Sequence, residues 1–245
     1  MNIQPLKKCA VFAVFISLAL LPLTSFAKRR APTGGRVAVV IDERLSALRN
    51  MPELSGVLLR RLGRGALVAI RGEKRSRDGA VFYRVNVTSR TNGWVQREAL
   101  VTPSRTGDDA RLLRLIKGSE DFDRIGRARI FLEAFTSSKF RPEVLMIYAH
   151  AAEDAAARLS REASRRLDDE EMAAGGAPLF TYFLNYNGLD RYNRQGITFV
   201  FDAREKRFRY DGEAWQELVH RYPQSPEAAE ARKKLEALRS QMTRQ

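Results

Sequence analysis

The chain has 245 residues, of which 44% are hydrophobic and 29% charged, and its formal net charge is +14. This composition excludes collagen-like, disulfide-stapled and wholly disordered classes, and the length suits one or two domains. The chain contains one cysteine, Cys9, and two histidines, His150 and His220. This inventory excludes cysteine–histidine nucleophilic catalysis and Cys/His zinc sites, and no metal or cofactor is expected.

The first 27 residues have the three parts of a secretory signal peptide. Lys7 and Lys8 give a positive start, residues 9–23 form an apolar run of 15 residues, and small residues stand at Ser25 and Ala27. We expect cleavage after Ala27 and a periplasmic or secreted mature chain. An uncleaved membrane anchor is the alternative. No later segment is long and apolar enough to span a membrane.

Charge divides the remaining residues into two parts. Residues 28–105 hold 17 Lys and Arg against 6 Asp and Glu, whereas residues 106–245 hold 24 against 23. The change coincides with a loop that contains Pro103 and Gly107. A composition shift at turn residues indicates a domain boundary. We therefore predict one domain over 36–102 and a second over 108–245, with a break near 173–178.

Short β-branched and aromatic runs separated by turn signals fill the first domain. They lie at 37–41, 66–70, 81–87 and 93–95. In the third run the residues alternate between two faces, as in a strand, with Phe82 opposite a set formed by Val81, Tyr83, Val85 and Val87. Asn92-Gly93 fits a tight hairpin turn. This pattern predicts a small all-β barrel.

The order of motifs over residues 47–100 resembles the bacterial SH3-like (SH3b) domain. The matching positions are Leu48, Arg49, Pro52, Leu62, Gly65, Phe82, Tyr83, Val85, Gly93, Trp94 and Val95. The sequence departs from the family pattern at Met51 and in the basic loop 72–79. The resemblance implies a binding module, commonly for cell-wall peptide or glycan or for another protein, without a catalytic role.

Aromatic and basic residues of this domain are the candidate ligand-binding residues. Tyr83 and Trp94 would form an aromatic shelf, or else they belong to the core. Arg60, Arg61 and Arg75 belong to the densest basic cluster, whose other members are Arg64, Arg71, Lys74 and Arg77. Such a cluster attracts wall peptide carboxylates, phosphate-bearing glycans or lipid headgroups, or it is a solvated surface. Export argues against nucleic acid as the partner.

A repeated pattern marks the second domain. Residues 132–153 and 218–236 share a helix, an aromatic residue, a small polar turn, a proline and an alanine-rich helix. The second copy, with Tyr222, Pro223, Ser225 and Pro226, resembles the tetratricopeptide-like repeats of bacterial envelope proteins. Such repeats usually present a groove to a partner, and a compact bundle is the alternative. Between the copies, alternation predicts a hairpin over 197–210 with its turn at 203–206.

Few residues are candidates for catalysis. His150 and the acidic run 168–171 show no convergent spacing, and no phosphate-binding glycine loop or nucleophile elbow occurs. We expect an α+β multidomain chain, an SH3-like β-barrel followed by a tetratricopeptide-like helical domain with a short β-hairpin. We expect it to be a non-enzymatic envelope binding or scaffold protein that holds wall material or a protein partner. The alternative is a cell-wall-active hydrolase that uses carboxylates of the helical domain.

Overall fold

The computed structural model describes residues 34–243, with side chains up to residue 240, as an α+β protein. The predicted signal peptide and Ala27 lie outside these residues. The strands are β1 Arg36–Val40, β2 Ala47–Arg49, β3 Leu58–Arg61, β4 Leu67–Arg75, β5 Val81–Asn86, β6 Asn92–Gln96, β7 Leu100–Val101, β8 Val200–Asp202 and β9 Arg207–Arg209. The helices are α1 Asp108–Lys117, α2 Asp121–Ala134, α3 Arg141–Arg166, α4 Asp169–Gly175, α5 Leu179–Leu184, α6 Asp190–Arg194, α7 Glu213–Arg221 and α8 Ala228–Thr243.

The first seven strands form one antiparallel sheet in the order β3-β2-β6-β5-β4-β1-β7. The sheet ends at β3 on one side and at β7 on the other, so its hydrogen bonding does not close into the predicted barrel. The α+β class is confirmed. The four predicted runs contribute β1, β4, β5 and β6.

The hairpin between β5 and β6 differs from the predicted one. Asn92 and Gly93 belong to β6, and the turn lies before them, where the N–H of Val87 donates to the carbonyl of Thr91 at 2.8 Å. Gly93 serves close strand packing instead. A Cβ at this position would lie 2.7 Å from the carbonyl oxygen of Arg49 and 2.9 Å from the Leu48 side chain. The glycine thus allows β2 to pair with β6.

The sheet buries one face in a core of its own. The members of this core include Leu48, Tyr83, Val85 and Val95, each at most 4% exposed. A second core joins the helices and reaches into the sheet on the far side of β1, where it includes Val39, Ile41 and Val101. The seven-stranded sheet and the helices therefore share buried contacts at β1 and β7.

Three helices begin after six-residue turns that share two backbone hydrogen bonds. Before α3, the N–H of Ser138 donates to the carbonyl of Phe135 and the N–H of Arg141 donates to the carbonyl of Ser138. Before α8, the N–H of Ser225 donates to the carbonyl of Tyr222 and the N–H of Ala228 donates to the carbonyl of Ser225. A third copy precedes α1: its bonds run from Arg105 to Thr102 and from Asp108 to Arg105. The two copies predicted from the sequence thus share their local backbone, and the third follows a strand.

The segment between the two helix-turn-helix units buries most of its aromatic residues. Phe183, Tyr186 and Tyr192 are at most 6% exposed and belong to the helical core. The hairpin of β8 and β9 pairs Asp202 with Arg207, which confirms the predicted turn at 203–206. Within residues 34–243 we find no helix long and apolar enough to cross a bilayer.

Candidate functional site

Trp94 lies in a row of side chains that crosses four strands. In the register of the sheet it is opposite Arg84 of β5 on one side and Arg49 of β2 on the other, and Arg49 is opposite Leu58 of β3. Directly opposite residues share a face of the sheet. Trp94 and Arg49 are partly exposed, and Arg84 and Leu58 are exposed. This row brings a tryptophan between two guanidinium groups.

A neighbouring row on the same face adds two more cations. It contains Arg61 of β3, opposite Ala47, and Lys74 of β4, opposite Phe82. The residues that the register places in the two rows are Ala47, Arg49, Leu58, Arg61, Gly72, Lys74, Phe82, Arg84, Trp94 and Gln96. No member of this set is acidic. We call this surface the cationic face.

An apolar segment, made of the loop after β2 and the first two residues of β3, borders the cationic face. Its exposed side chains are Met51 (43%), Leu54 (50%), Val57 (63%), Leu58 (47%) and Leu59 (50%). Arg49 fixes the loop by donating from Nη1 to the carbonyl of Gly56 at 2.7 Å. We call residues 51–59 the apolar hairpin. Large apolar side chains exposed side by side commonly mark a binding surface.

The structure separates the two aromatic residues predicted to form a shelf. Tyr83 is only 4% exposed and belongs to the inner core, because it is opposite Val95 in the register. Its hydroxyl accepts a hydrogen bond from Nη1 of Arg105 at 3.3 Å. Trp94, one residue away from Val95, points to the opposite face. Of the predicted pair, only Trp94 is placed to contact a ligand on the cationic face.

The three predicted arginines are not all together. Arg60 and Arg61 are adjacent and exposed on the edge strand β3. Arg75 is exposed at the end of β4, with three strands between it and β3, and its Nη1 donates to the carbonyl of Gly79 at 3.2 Å. The predicted cluster is therefore spread along the sheet.

Arg64 does not lie on the exposed basic surface predicted from the sequence. It connects the sheet to α2. It is 8% exposed, and its Nη2 lies 2.8 Å from Oδ1 of Asp123. Nearby, Arg127 donates from Nε to the carbonyl of Ile41 at 3.2 Å. Hydrogen bonds from Arg44 hold the pKa of Asp42 below its ordinary value, and burial lowers the pKa of Arg127. These charges hold the fold together at this junction.

Two arginines of the cationic face are not among the ligand-binding residues predicted from the sequence. Arg49 matches only the family pattern, and Arg84 is not singled out. The signal was present, because the alternation that places Tyr83 and Val85 inward places Arg84 outward. The pairing of β2 with β6, which brings Arg49 beside Trp94, is not visible in local sequence.

A cleft of about 740 Å³ lies between β1, α2 and the loop after α6. Its lining residues include Val37, Val39, Leu67, Ile130, Glu133, Arg129 and Arg194. Arg129 is engaged in the wall, since its Nε donates to Oε1 of Glu133 at 2.9 Å and its Nη1 to the carbonyl of Gly196. The cleft is thus mainly apolar, with one exposed guanidinium, that of Arg194, at its rim.

Carboxylates of the helical region meet at a smaller polar cavity of about 250 Å³. Glu120, Asp121 and Asp154 line it together with Arg124 and Arg158. Arg158 forms an ion pair with Asp121 through Nη1 and Oδ1. Within residues 34–243 no group of three or more His, Cys, Asp or Glu side chains is arranged to hold a metal ion.

His150 packs between helices. Its Nε2 lies 2.9 Å from Oε1 of Glu230, and its ring meets Trp215 edge-on with centroids 5.0 Å apart. The histidine therefore joins α3 to α7 and α8.

Comparisons of the chain with known protein families, with curated proteins and with solved structures find no match.

Proposed function

We propose that the mature chain is an exported, non-enzymatic binding protein whose cationic face holds an anionic partner in the cell envelope. The observation that carries this proposal is the row Arg84, Trp94, Arg49 and Leu58 across four strands. Such a row offers positive charge and apolar contact area together. Wall peptides with free carboxylates and acidic protein segments present the complementary groups.

The resemblance of the sequence over residues 47–100 to bacterial SH3-like domains supports this role, because that family consists of binding modules. The exposed apolar hairpin adds support of a different kind. Five large apolar side chains, each at least 43% exposed, lie beside the cations. A partner that covers them gains burial energy of roughly 25 cal/mol per Å² of apolar surface. Charge would then orient the partner and the hairpin would hold it.

The recurrent turns support a tetratricopeptide-like scaffold in the helical region. The turns that start at Phe135 and Tyr222 each join two helices, as the turn inside a tetratricopeptide repeat does. Helical pairs of this kind stack on their neighbours and present a continuous surface. We propose that these helices hold a protein partner while the sheet attaches to the envelope.

Retention on purified cell-wall sacculi tests the sheet's role. We expect mature protein 28–245 to sediment with sacculi at physiological salt and to be released by Arg84→Glu. Arg161→Glu, an equal charge reversal at an exposed position of α3, is the matched control and should be retained. Equal retention of all three proteins would contradict the role of the cationic face, and so would release of soluble muropeptides by the protein, which would favour a hydrolase.

The compartment has its own test. We expect the chain recovered from the periplasmic or secreted fraction of its host to begin at Lys28, as shown by its intact mass. Recovery from the cytosol with residues 1–27 attached would contradict export.

A further inference from the structure

We propose that the edge strand β3 accepts an extended acidic peptide segment of a partner protein as an additional strand of the sheet. This inference rests on the proposed binding role of the cationic face and names the chemistry of the partner. Adding a strand to an exposed sheet edge is a general mode of peptide recognition.

The two edges of the sheet differ in their exposure. Both residues of β7 are at most 1% exposed, and β7 lies next to α1. All four residues of β3 are exposed, and β3 is paired with β2 alone. Of the two edges, β3 is the one that a partner can reach.

The backbone of β3 offers hydrogen-bonding groups to that partner. The N–H of Leu62 donates to the carbonyl of Ser46 at 3.1 Å, and the hydroxyl of Ser46 donates to the carbonyl of Leu62 at 2.6 Å. Both polar groups of Leu62 thus face Ser46. Successive residues of a strand direct their backbone N–H and C=O to opposite sides, so the N–H and C=O of Arg61 face away from β2. An added strand would bond to them.

Side chains of β3 specify an acidic partner. Arg60 is opposite Leu48 and Arg61 is opposite Ala47, so the two guanidinium groups lie on opposite faces of the strand. Leu58 and Leu59 precede them with about half of each side chain exposed. A peptide that carries carboxylates beside small apolar residues matches this pattern.

The same charges disfavour a second copy of this chain. Antiparallel pairing of two β3 strands centred on Arg61 brings Arg61 of one copy directly opposite Arg61 of the other. Like charges at such positions are destabilising. Charged edge residues are a common device against edge-to-edge association. The arginines therefore select a foreign acidic strand.

A synthetic peptide tests the proposal on the mature chain 28–245. The probe is Gly-Glu-Val-Glu-Val-Glu-Val-Gly, with a version that has lysine in place of glutamate as the charge control. Hydrogen exchange followed by NMR should show the amide of Arg61 slowed at least tenfold on binding. The amide of Leu62, already bonded to Ser46, should not change.

Two further measurements separate strand addition from simple charge attraction. One peptide is N-methylated on its valine amides and a second on its glutamate amides, so that each has a different edge of the extended peptide blocked for hydrogen bonding. We expect only one of the two peptides to lose binding, by tenfold or more. Reversal of both Arg60 and Arg61 to glutamate should weaken binding at least tenfold.

Three results would overturn strand addition. In the first, both methylated peptides bind as well as the parent and the exchange at Arg61 is unchanged. In the second, the peptide fails to bind although sacculi still retain the protein through Arg84. In the third, the free chain already associates through β3, as shown by a dimer that the Arg60 and Arg61 reversals dissociate. None of these results removes the proposed function, which is tested separately by retention on sacculi, by muropeptide release and by the compartment of the chain.

Discussion

At the scale of single residues, two buried phenols join α3 to the segment before α7. The rings of Tyr148 and Tyr210 meet edge-on with centroids 6.0 Å apart. The hydroxyl of Tyr210 accepts a hydrogen bond from the N–H of Ala214 at 2.7 Å. Burial raises the pKa of Tyr148 to about 12, and it also raises the pKa of Tyr210 above its ordinary value. Both side chains are therefore held in the neutral form in the folded protein.

This pair makes the stability of the protein dependent on alkaline pH. In the unfolded chain both phenols ionise near pH 10, and in the folded chain they ionise at higher pH. Their contribution is complete below about pH 10 and falls as the pH rises from about 10 to about 12, by up to about 1.4 kcal/mol per pH unit for each phenol. Urea unfolding at about pH 9, 10 and 11 measures the slope. Tyr148→Phe should make it shallower, and an unchanged slope would contradict the assignment.

At the scale of elements, local patterns gave the positions of elements better than their pairing. Ser225 and Pro226 marked a real turn, and alternation around Phe201 and Phe208 marked the β8–β9 hairpin. The hairpin turn predicted at Asn92-Gly93 is wrong, because the glycine is needed where β2 approaches β6 and not in a turn. The order of strands depends on contacts between residues far apart in the chain, so the neighbours of Trp94 could not be predicted from local sequence patterns.

The docking of α8 depends on small side chains near its start. Ala231 is fully buried in the helical core, and α8 packs against α7. We expect Ala231→Leu to lower the free energy of unfolding by about 1–3 kcal/mol, since extra methyl groups overpack a filled site. Ala237→Leu, at an exposed position of the same helix, is the matched control and should change it by less than about 0.5 kcal/mol. Urea unfolding followed by circular dichroism compares them, and equal losses would show that α8 is not packed as described.

At the scale of the whole molecule, the sheet and the helices are joined by one shared core. Val39, Ile41 and Val101 of the sheet side belong to the same buried cluster as the interior of α2 and α3. Arg127 reinforces this junction through its bond to the carbonyl of Ile41. Disruption of either part would expose apolar surface of the other, so we expect the sheet and the helices to unfold in one cooperative transition.

The two tryptophans report on the two sides separately. Trp94 lies in the sheet, and Trp215 is fully buried among the helices. We expect the variants Trp94→Phe and Trp215→Phe, each with one remaining tryptophan, to show fluorescence transitions that coincide with their own circular dichroism transitions in urea. Two midpoints within one variant, with the sheet melting apart from the helices, would mean that the shared core does not couple them.

The six-residue turn before α1, α3 and α8 connects to two kinds of element. It follows a strand once and a helix twice, with the same two backbone hydrogen bonds each time. The residue that ends the turn differs, because Gly107 has a φ of 84° before α1 and Phe140 has a φ of −85° before α3. A positive φ of this size favours glycine. At its last position the turn that leaves the sheet therefore requires glycine, whereas the turn before α3 accepts a phenylalanine.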